Sequence, residues 1–129
     1  MSAIAIRNID HVVIRTADLD RALRFYCDVL GCKEERRVDT IGLVQMRAGS
    51  TMIDLMDAKD NPPPKGAGNM DHFALRLETF DEAAIRTHLS AHGIETGDVK
   101  SRYGAEGDGP SLYIEDPDGN MVELKGPPS

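Results

Sequence analysis

"IDHVVIRTADLD", residues 9–20, returns in closely related form as "MDHFALRLETFD" at residues 70–81. In each copy an aspartate and a histidine precede an apolar segment that ends in arginine, and His11 and His72 lie 61 positions apart. The alternating apolar residues predict a strand, and Asp18 and Thr79, which follow at the same offset, suit a helix N-cap. The chain is therefore predicted to contain two repeated modules.

Each repeat continues with the signals of a helix and then with three strand-like segments. Gly31 and Gly93 stand where the end of a helix favours glycine, and Thr79 with Glu82 forms a capping-box pattern. The Pro-Asp-Gly of "DPDGN" predicts a turn, which makes residues 110–125 a hairpin. The predicted strands after each helix cover residues 33–39, 42–48 and 50–57, then 95–103, 110–115 and 120–125.

These patterns predict an α+β fold of two β-α-β-β-β modules, residues 7–57 and 70–126. Three prolines and two glycines make residues 58–69 a linker. At 129 residues the chain is long enough for one ordinary domain, or for two small modules that share a core.

Composition and charge limit the classes of function that the protein can have. A hydrophobic content of 40% and a charged content of 29% are typical of soluble globular proteins, and no apolar run reaches membrane-spanning length. The N-terminus lacks the layout of a signal peptide, so we expect a cytoplasmic protein without a membrane partner. The net charge of −7 argues against nucleic acid as a partner. Cys27 and Cys32 match no metal or redox spacing and are interpreted as reduced structural thiols.

Strand alternation places one histidine and one carboxylate on the same face in each module. The bulkier apolar residues of the opening strands predict the side that faces the helix, which leaves His11 and His72 on the opposite face. In the closing strands, Asp54 and Glu123 project away from the helix in the same way. Two imidazoles with one or two carboxylates suit a divalent cation of borderline softness.

Ordinary interpretations compete with the metal site. A single strand histidine or carboxylate is more often a surface or satisfied half-buried residue than a ligand. The matching positions in both modules favour the metal, since burying four such groups unpaired would cost several kcal/mol. The repeated arginines Arg15 and Arg76 match either an anion clamp or solvated strand ends, and we interpret them as solvated strand ends.

The segments "DHVVIRTADLDRALRFYCDVLGC", "MDHFALRLETFDEA" and "SLYIEDPDGNMVEL" resemble the vicinal oxygen chelate superfamily over nearly the whole chain. That superfamily includes glyoxalase I, type-I extradiol dioxygenases, fosfomycin-resistance thiol transferases and bleomycin-resistance proteins. The resemblance implies a single domain, residues 1–129, whose modules form a cupped mixed sheet around one divalent metal ion, such as Ni, Zn, Mn or Fe. The ligands of the superfamily map to His11, Asp54, His72 and Glu123.

The resemblance also implies an activity: a glyoxalase-like, metal-dependent lyase or isomerase acting on a small carbonyl or vicinal-oxygen substrate. The metal would act as a Lewis acid on the developing enolate or oxyanion. Glu123 is the candidate base, with Asp54 second, and Tyr113 is a candidate hydrogen-bond donor at the site. A homodimer is common in the superfamily and is expected here.

Departures from the pattern leave alternatives open. Glyoxalase I usually has glutamate where this chain has Asp54. Tyr113, ten residues before Glu123, fits part of the extradiol signature, but Gly104, Ala105 and Glu106 stand where that signature has a histidine. An extradiol-type dioxygenase is therefore the second candidate, followed by a metal-dependent thiol transferase or a non-catalytic antibiotic-binding protein.

The second module carries eight extra residues, because the carboxylates lie 69 positions apart and the histidines 61. The glycine-rich segment "TGDVKSRYGAEGDG", residues 96–109, is the expected place for them. It suits either a mobile flap that steers an anionic substrate or a solvated surface loop. The candidate substrate contacts are Lys100, Arg102 and Tyr103 in this segment, with Met52 and Met121 beside the carboxylates.

Overall fold

A computed structural model of the protein describes residues 7–58 and 70–129. Apart from Ala58, the predicted linker lies outside the described residues. The chain divides into two compact units, Met1–Pro62 and Pro63–Ser129. Within the described ranges, no helix is long and apolar enough to cross a membrane.

The first unit is a four-stranded mixed sheet with one helical segment. Its strand order is β1-β4-β3-β2, in which β1 and β4 run parallel and the other neighbours run antiparallel. Its elements are β1 (His11–Thr16), α1 (Leu19–Leu23), a π-helical turn (Arg24–Val29), β2 (Lys33–Val38), a 3-10 turn (Asp39–Ile41), β3 (Leu43–Ala48) and β4 (Thr51–Asp57).

The second unit repeats this topology. Its strand order is β5-β8-β7-β6, again with the first and last strands parallel. Its elements are β5 (His72–Arg76), α2 (Glu82–Ala91), β6 (Lys100–Gly104), β7 (Gly107–Glu115) and β8 (Met121–Lys125). The predicted α+β class with two β-α-β-β-β modules is confirmed.

Alternating apolar side chains build the core of each unit. In the first unit Ile14, Ile53 and Leu55 are buried, with Phe25 and Tyr26 from the helical segment. In the second unit the buried apolar side chains include Leu89, Leu112, Ile114, Val122 and Leu124. Each fully buried side chain of this size contributes about 1.5–3 kcal/mol. The apolar sets therefore fix the orientation of each strand, and the polar residues between them project to the other face.

The helix starts agree with the sequence in one module and differ in the other. Asp18 caps α1, and its carboxylate accepts a hydrogen bond from Arg21 N at 3.1 Å. The predicted cap Thr79 is wrong, because α2 begins after Asp81, whose carboxylate accepts from Ala84 N at 3.1 Å. The chain stays non-helical through Phe80, which packs so closely on Gly126 that a Cβ there would lie 2.5 Å from Phe80 Cβ.

The helix ends lie where the glycines predict them. Gly31 and Gly93 have φ angles of 82° and 72°, which non-glycine residues rarely adopt. The first helix widens before its end, where Leu30 N donates to Phe25 O five residues back. The sequence pattern did not indicate this π-helical turn. Over six residues, the spacing of apolar side chains in an α-helix and in one wider π-helical turn is nearly the same.

The hairpin of β6 and β7, residues 100–115, is as long as its counterpart of β2 and β3, residues 33–48. The extra residues of the second module therefore lie outside it, mainly between α2 and β6. Strands β6 and β7 pair antiparallel from Lys100↔Ser111 to Gly104↔Gly107, with Ala105 and Glu106 as the turn. β7 therefore begins at Gly107 and not at the predicted residue 110. The predicted hairpin of residues 110–125 is present as β7 and β8.

Candidate functional site

The first unit holds a histidine and a carboxylate on adjacent parallel strands. His11 stands opposite Met52 in the β1–β4 register, and Asp54 stands opposite Val13. The Nδ1 atom of His11 lies 2.8 Å from Asp10 Oδ1. This hydrogen bond raises the pKa of His11 above its ordinary value, and the nearby charge of Asp54 raises it further.

Asp54 is a buried carboxylate with one oxygen left without a donor. The residue is 3% exposed, and its Oδ2 accepts from Gln45 Nε2 at 3.2 Å. Within residues 7–58 and 70–129, its Oδ1 has no hydrogen-bond partner. Because an unpaired buried carboxylate oxygen is costly, a cation is its natural partner. Asp54 is therefore suited to ligate a metal despite its short side chain.

The second unit repeats the arrangement with glutamate in place of aspartate. The Nδ1 atom of His72 lies 2.7 Å from Asp71 Oδ1, and its Nε2 lies 3.3 Å from Glu123 Oε1. Glu123 is 6% exposed. The ring of His72 is thus held between an exposed aspartate and a buried glutamate.

Both histidines have the orientation that metal-binding histidines usually show. When the Nδ1–H of an imidazole donates to a carboxylate, the Nε2 lone pair is left for a metal, and ligand histidines commonly have such a partner. Asp10 and Asp71 supply that partner in the two units. Each unit therefore offers one imidazole and one buried carboxylate, which are side chains of the kinds that ligate divalent metals.

Two donors do not complete a metal site. Transition-metal sites in proteins use three or four side-chain ligands. In the part of the chain that the structure describes, no three His, Cys, Asp or Glu side chains form a group that could hold a metal ion. Each pair is therefore a half-site, defined here as His11 with Asp54 and His72 with Glu123.

Tyr113 joins the second half-site from the neighbouring strand. It stands opposite Glu123 in the β7–β8 register, and its ring meets the ring of His72 edge to face at 5.1 Å. Burial raises the pKa of Tyr113, as do the charge of Glu123 and a hydrogen bond to it. The guanidinium of Arg102 lies 4.7 Å from the ring centroid, and Arg102 is itself held by Ser111 O and Oγ.

A cleft of about 290 Å³ adjoins the second half-site, entirely within the second unit. His72, Glu123 and Tyr103 line it, whereas Lys100, Arg102 and Met121 do not. Lys100 is exposed in β6, and Met121 stands opposite His72 as Met52 stands opposite His11. The other lining residues are Ala74, Arg76, Gly104, Ala105, Glu106, Lys125 and Gly126.

Several residues at the site were not singled out from the sequence. The aspartates before the histidines, Asp10 and Asp71, were visible as repeat identities, but a chemical role for them needs the ring orientation. Gln45 is opposite Asp54 in the β3–β4 register, which the sequence does not give. Lys125 lies two residues after Glu123 and so on the same face, which alternation could have indicated.

Relatives of this chain include proteins of several activities. It is 28% identical over 124 residues to virulence protein STM3117 of Salmonella typhimurium, covering 92% of this chain and 83% of the relative. The crystal structure of that protein matches with a TM-score of 0.73 at 27% identity, covering 95% of this chain and 98% of that one. A probable lactoylglutathione lyase of Synechocystis is 27% identical over 124 residues, covering 88% of this chain and 91% of the relative.

A dioxygenase matches over a smaller part of its length. Catechol-2,3-dioxygenase of Bacillus subtilis is 28% identical over 123 residues, and the match covers 91% of this chain but 40% of the dioxygenase. The family profile of the Glyoxalase/Bleomycin resistance protein/Dioxygenase superfamily matches residues 8–124. The resemblance noted in the sequence is thereby confirmed. The chain belongs to the Glyoxalase/Bleomycin resistance protein/Dioxygenase superfamily.

Proposed function

We propose that the two half-sites together bind one divalent metal ion and that the protein is a glyoxalase-like lyase or isomerase. Residues 1–129 would then act as one functional domain of two modules joined by residues 58–69. The observation that carries the proposal is the duplicated pair of a histidine, tied at Nδ1 to the preceding aspartate, and a buried carboxylate. Ni, Zn, Mn and Fe all suit two imidazoles and two carboxylates.

His11, Asp54, His72 and Glu123 are the residues that would hold the metal. When bound, the metal supplies a Lewis acid that polarises a substrate carbonyl and stabilises negative charge on its oxygen. The aspartates at Nδ1 keep both imidazoles oriented and make their Nε2 atoms better donors.

Glu123 is suited to move a proton at the carbon next to the substrate carbonyl. Its carboxylate is buried, lies 3.3 Å from His72 Nε2 and is hydrogen-bonded to Tyr113. A base that lines the cleft can reach a bound substrate, and the tyrosine hydroxyl holds the carboxylate in place. Asp54 is the second candidate base, because its Oδ1 has no competing donor among the described residues.

The cleft favours a small substrate. A volume of about 290 Å³ is just below the usual range for ligand pockets, roughly 300–1,000 Å³. Of the predicted substrate contacts, Tyr103 is placed best, at the cleft and 82% exposed. Arg102 would act through the Tyr113 ring, and Lys100, Met52 and Met121 would act at the edges of the site. We infer a small carbonyl or vicinal-oxygen compound.

We also propose a cytoplasmic homodimer. The exposed apolar side chains in the described ranges include Ile9 and Val13, and Val13 lies on the same face of β1 as His11. A second surface would bury them. Either a second copy of the chain or the other module of the same chain would cover these side chains. The proposal therefore includes dimers in which the modules are exchanged between chains.

Extradiol-type ring cleavage is the second candidate. Two histidines with one carboxylate are the ligand set of many non-haem iron oxygenases, and Tyr113 lies against His72 and Glu123. A metal-dependent thiol transferase and a non-catalytic antibiotic-binding protein follow, since both occur in the same superfamily.

Hydrogen exchange tests the proton transfer directly. Protein loaded separately with Ni, Zn, Mn or Fe(II) is incubated in D₂O with small hydroxyketones and 2-oxo aldehydes, and ¹H NMR follows loss of the signal next to the carbonyl. We expect metal-dependent exchange, which Tyr113→Phe slows roughly tenfold, in line with the loss of one positioning hydrogen bond. Glu95→Gln, which removes an exposed carboxylate, is the matched control and should exchange at the rate of the unmodified protein.

Oxygen consumption separates the two activities. With catechols and Fe(II), an oxygen electrode should record no uptake above that of free iron. Uptake that depends on the protein, together with no exchange for any metal, would reject the lyase and support the dioxygenase.

A further inference from the structure

The end of the cleft away from His72 and Glu123 carries two cationic side chains. Arg76 of β5 and Lys125 of β8 are directly opposite in the parallel register, and both line the cleft. Arg76 lies four residues beyond His72, and Lys125 lies two residues beyond Glu123, on the same strand faces. At about 3.3 Å per residue, these separations along the strands are about 13 Å and about 6.6 Å. One cleft therefore holds an imidazole and a carboxylate at one end and two cations at the other.

Lys125 is buried with little to neutralise it. It is 8% exposed, and its Nζ donates to Gly107 O at 3.3 Å, which uses one of three N–H donors. In the described part of the chain, no carboxylate lies within 4.0 Å of this Nζ. Buried ammonium groups are costly without an anionic or hydrogen-bonding partner.

The β6–β7 hairpin is shaped around this lysine. A Cβ on Gly104 would lie 3.0 Å from Lys125 Cε, and a Cβ on Gly109 would lie 3.0 Å from Nζ and 2.5 Å from Pro127 O. At Gly109 the backbone of Pro127 excludes a Cβ, whereas at Gly104 a Cβ would press on the stem of Lys125. The lysine stem therefore runs close beside Gly104 and Gly109, and its Nζ reaches the carbonyl of Gly107.

Arg76 shows which anion this end accepts. Its Nε lies 2.7 Å from Glu106 Oε1 and its Nη2 lies 3.4 Å from Glu106 Oε2, so a carboxylate occupies the guanidinium with both oxygens. Glu106 is 56% exposed and belongs to the turn of the hairpin. The second contact is long and Glu106 is exposed, so this surface ion pair is screened by solvent and an incoming carboxylate can compete with Glu106 for the guanidinium.

We propose that Arg76 and Lys125 form a subsite for a carboxylate group of the substrate. The substrate is then a small carboxylate-bearing carbonyl compound, with its carboxylate at the cationic end and its reacting carbonyl toward His72 and Glu123. Glu106 occupies Arg76 when substrate is absent. The orientation of the reacting carbonyl rests on the proposed function, whereas carboxylate binding does not require a metal.

Binding of a simple probe tests the subsite. Levulinate carries one carboxylate and a ketone three carbons away, and levulinamide is its neutral counterpart. A ¹H–¹⁵N NMR titration at low salt uses full-length protein freed of metal on a chelating resin, because chelators in solution carry carboxylates themselves. We expect levulinate to bind and levulinamide not to bind.

Three variants decide the outcome. Lys125→Met keeps most of the stem and should raise the levulinate Kd roughly tenfold or more, the effect of losing a charged hydrogen-bond donor. Glu106→Gln should lower the Kd several-fold, because it removes the competing carboxylate. The control Lys33→Met, at an exposed lysine of β2, should leave it unchanged.

Equal binding of levulinate and levulinamide, or an unchanged Kd in folded Lys125→Met, would overturn the proposal. Weaker binding in Glu106→Gln would do the same, and this variant decides the matter if Lys125→Met does not fold. Carboxylate binding without metal binding would reject the proposed function and leave the subsite standing. Metal binding without carboxylate binding would reject only the subsite.

Discussion

At the scale of single residues, the candidate site depends on how each polar atom is satisfied. Alternation along the strands was enough to place His11, His72, Asp54 and Glu123 on the faces opposite the buried apolar residues. It did not give the bond from each histidine Nδ1 to the preceding aspartate, since strand neighbours ordinarily point to opposite faces. The side-chain torsions that bring the imidazole and the aspartate carboxylate together do not follow from the two-residue alternation of the strand.

Asp54 offers a test of function against stability. Asp54→Asn keeps the shape and the hydrogen bond from Gln45 but removes a buried charge, one oxygen of which has no partner among the described residues. We expect the metal-free variant to be more stable by about 1 kcal/mol and to bind metal at least roughly tenfold more weakly. Urea unfolding and calorimetric metal titration measure the two effects.

The control for this variant is Asp98→Asn at an exposed position, which should change neither quantity. A loss of stability in metal-free Asp54→Asn would mean that the carboxylate is a structural group. The interpretation of Asp54 as a ligand would then lose its support.

Lys125 shows why one residue of the cleft escaped sequence analysis. A lysine at the end of a strand is usually solvated, and Arg76 was interpreted as a solvated strand end for the same reason. The hairpin turn that covers them comes from Ala105–Gly107, about 20 to 30 positions away in the chain. Contacts between residues so far apart in the chain are set by which strands pair, and the local sequence pattern does not predict them.

At the scale of elements, strands were predicted more accurately than helix ends. Five of the predicted post-helix strands agree with β2, β3, β4, β7 and β8 to within about three residues, whereas 95–103 reduces to Lys100–Gly104. The repeat also misled at one point. Thr79 aligns with the cap Asp18, but the second helix is capped by Asp81 and begins at Glu82.

The corrected helix start makes a direct prediction. Asp81→Ala removes the side chain that accepts from Ala84 N and should lower the free energy of unfolding by about 1 kcal/mol. Thr79→Ala should change it by less than about 0.5 kcal/mol, since an exposed residue outside such features contributes little. Urea denaturation of both variants provides the comparison, and a larger effect at Thr79 would contradict the observed cap.

At the scale of the whole molecule, the duplicated module explains both the fold and the composition of the site. The same strand order in both units places a parallel strand pair in each, with a histidine on the first strand and a carboxylate on the last. The sequence carried this information because the repeat preserves the spacing of polar and apolar residues. In the second unit the β6–β7 hairpin, the counterpart of β2–β3, brings Glu106 to Arg76 and the carbonyl of Gly107 to Lys125.

Overall charge and local charge differ in sign at the cleft. The chain carries a net charge of −7, yet Arg76 and Lys125 both line the cleft, where Arg76 pairs with the exposed Glu106. An acidic protein with a local cationic pair can attract a small anion to one place without binding polyanions, because nucleic-acid binding needs an extended basic surface.

Metal stoichiometry tests the central claim most directly, which is that both half-sites bind one ion. Elemental analysis after loading and gel filtration should give one divalent metal per pair of half-sites, hence one per chain. His11→Ala and His72→Ala should each abolish retention, because either half-site alone offers two donors. His92→Ala, at an exposed histidine after α2, should retain the full amount. Retention of the full amount by both His11→Ala and His72→Ala would contradict the account.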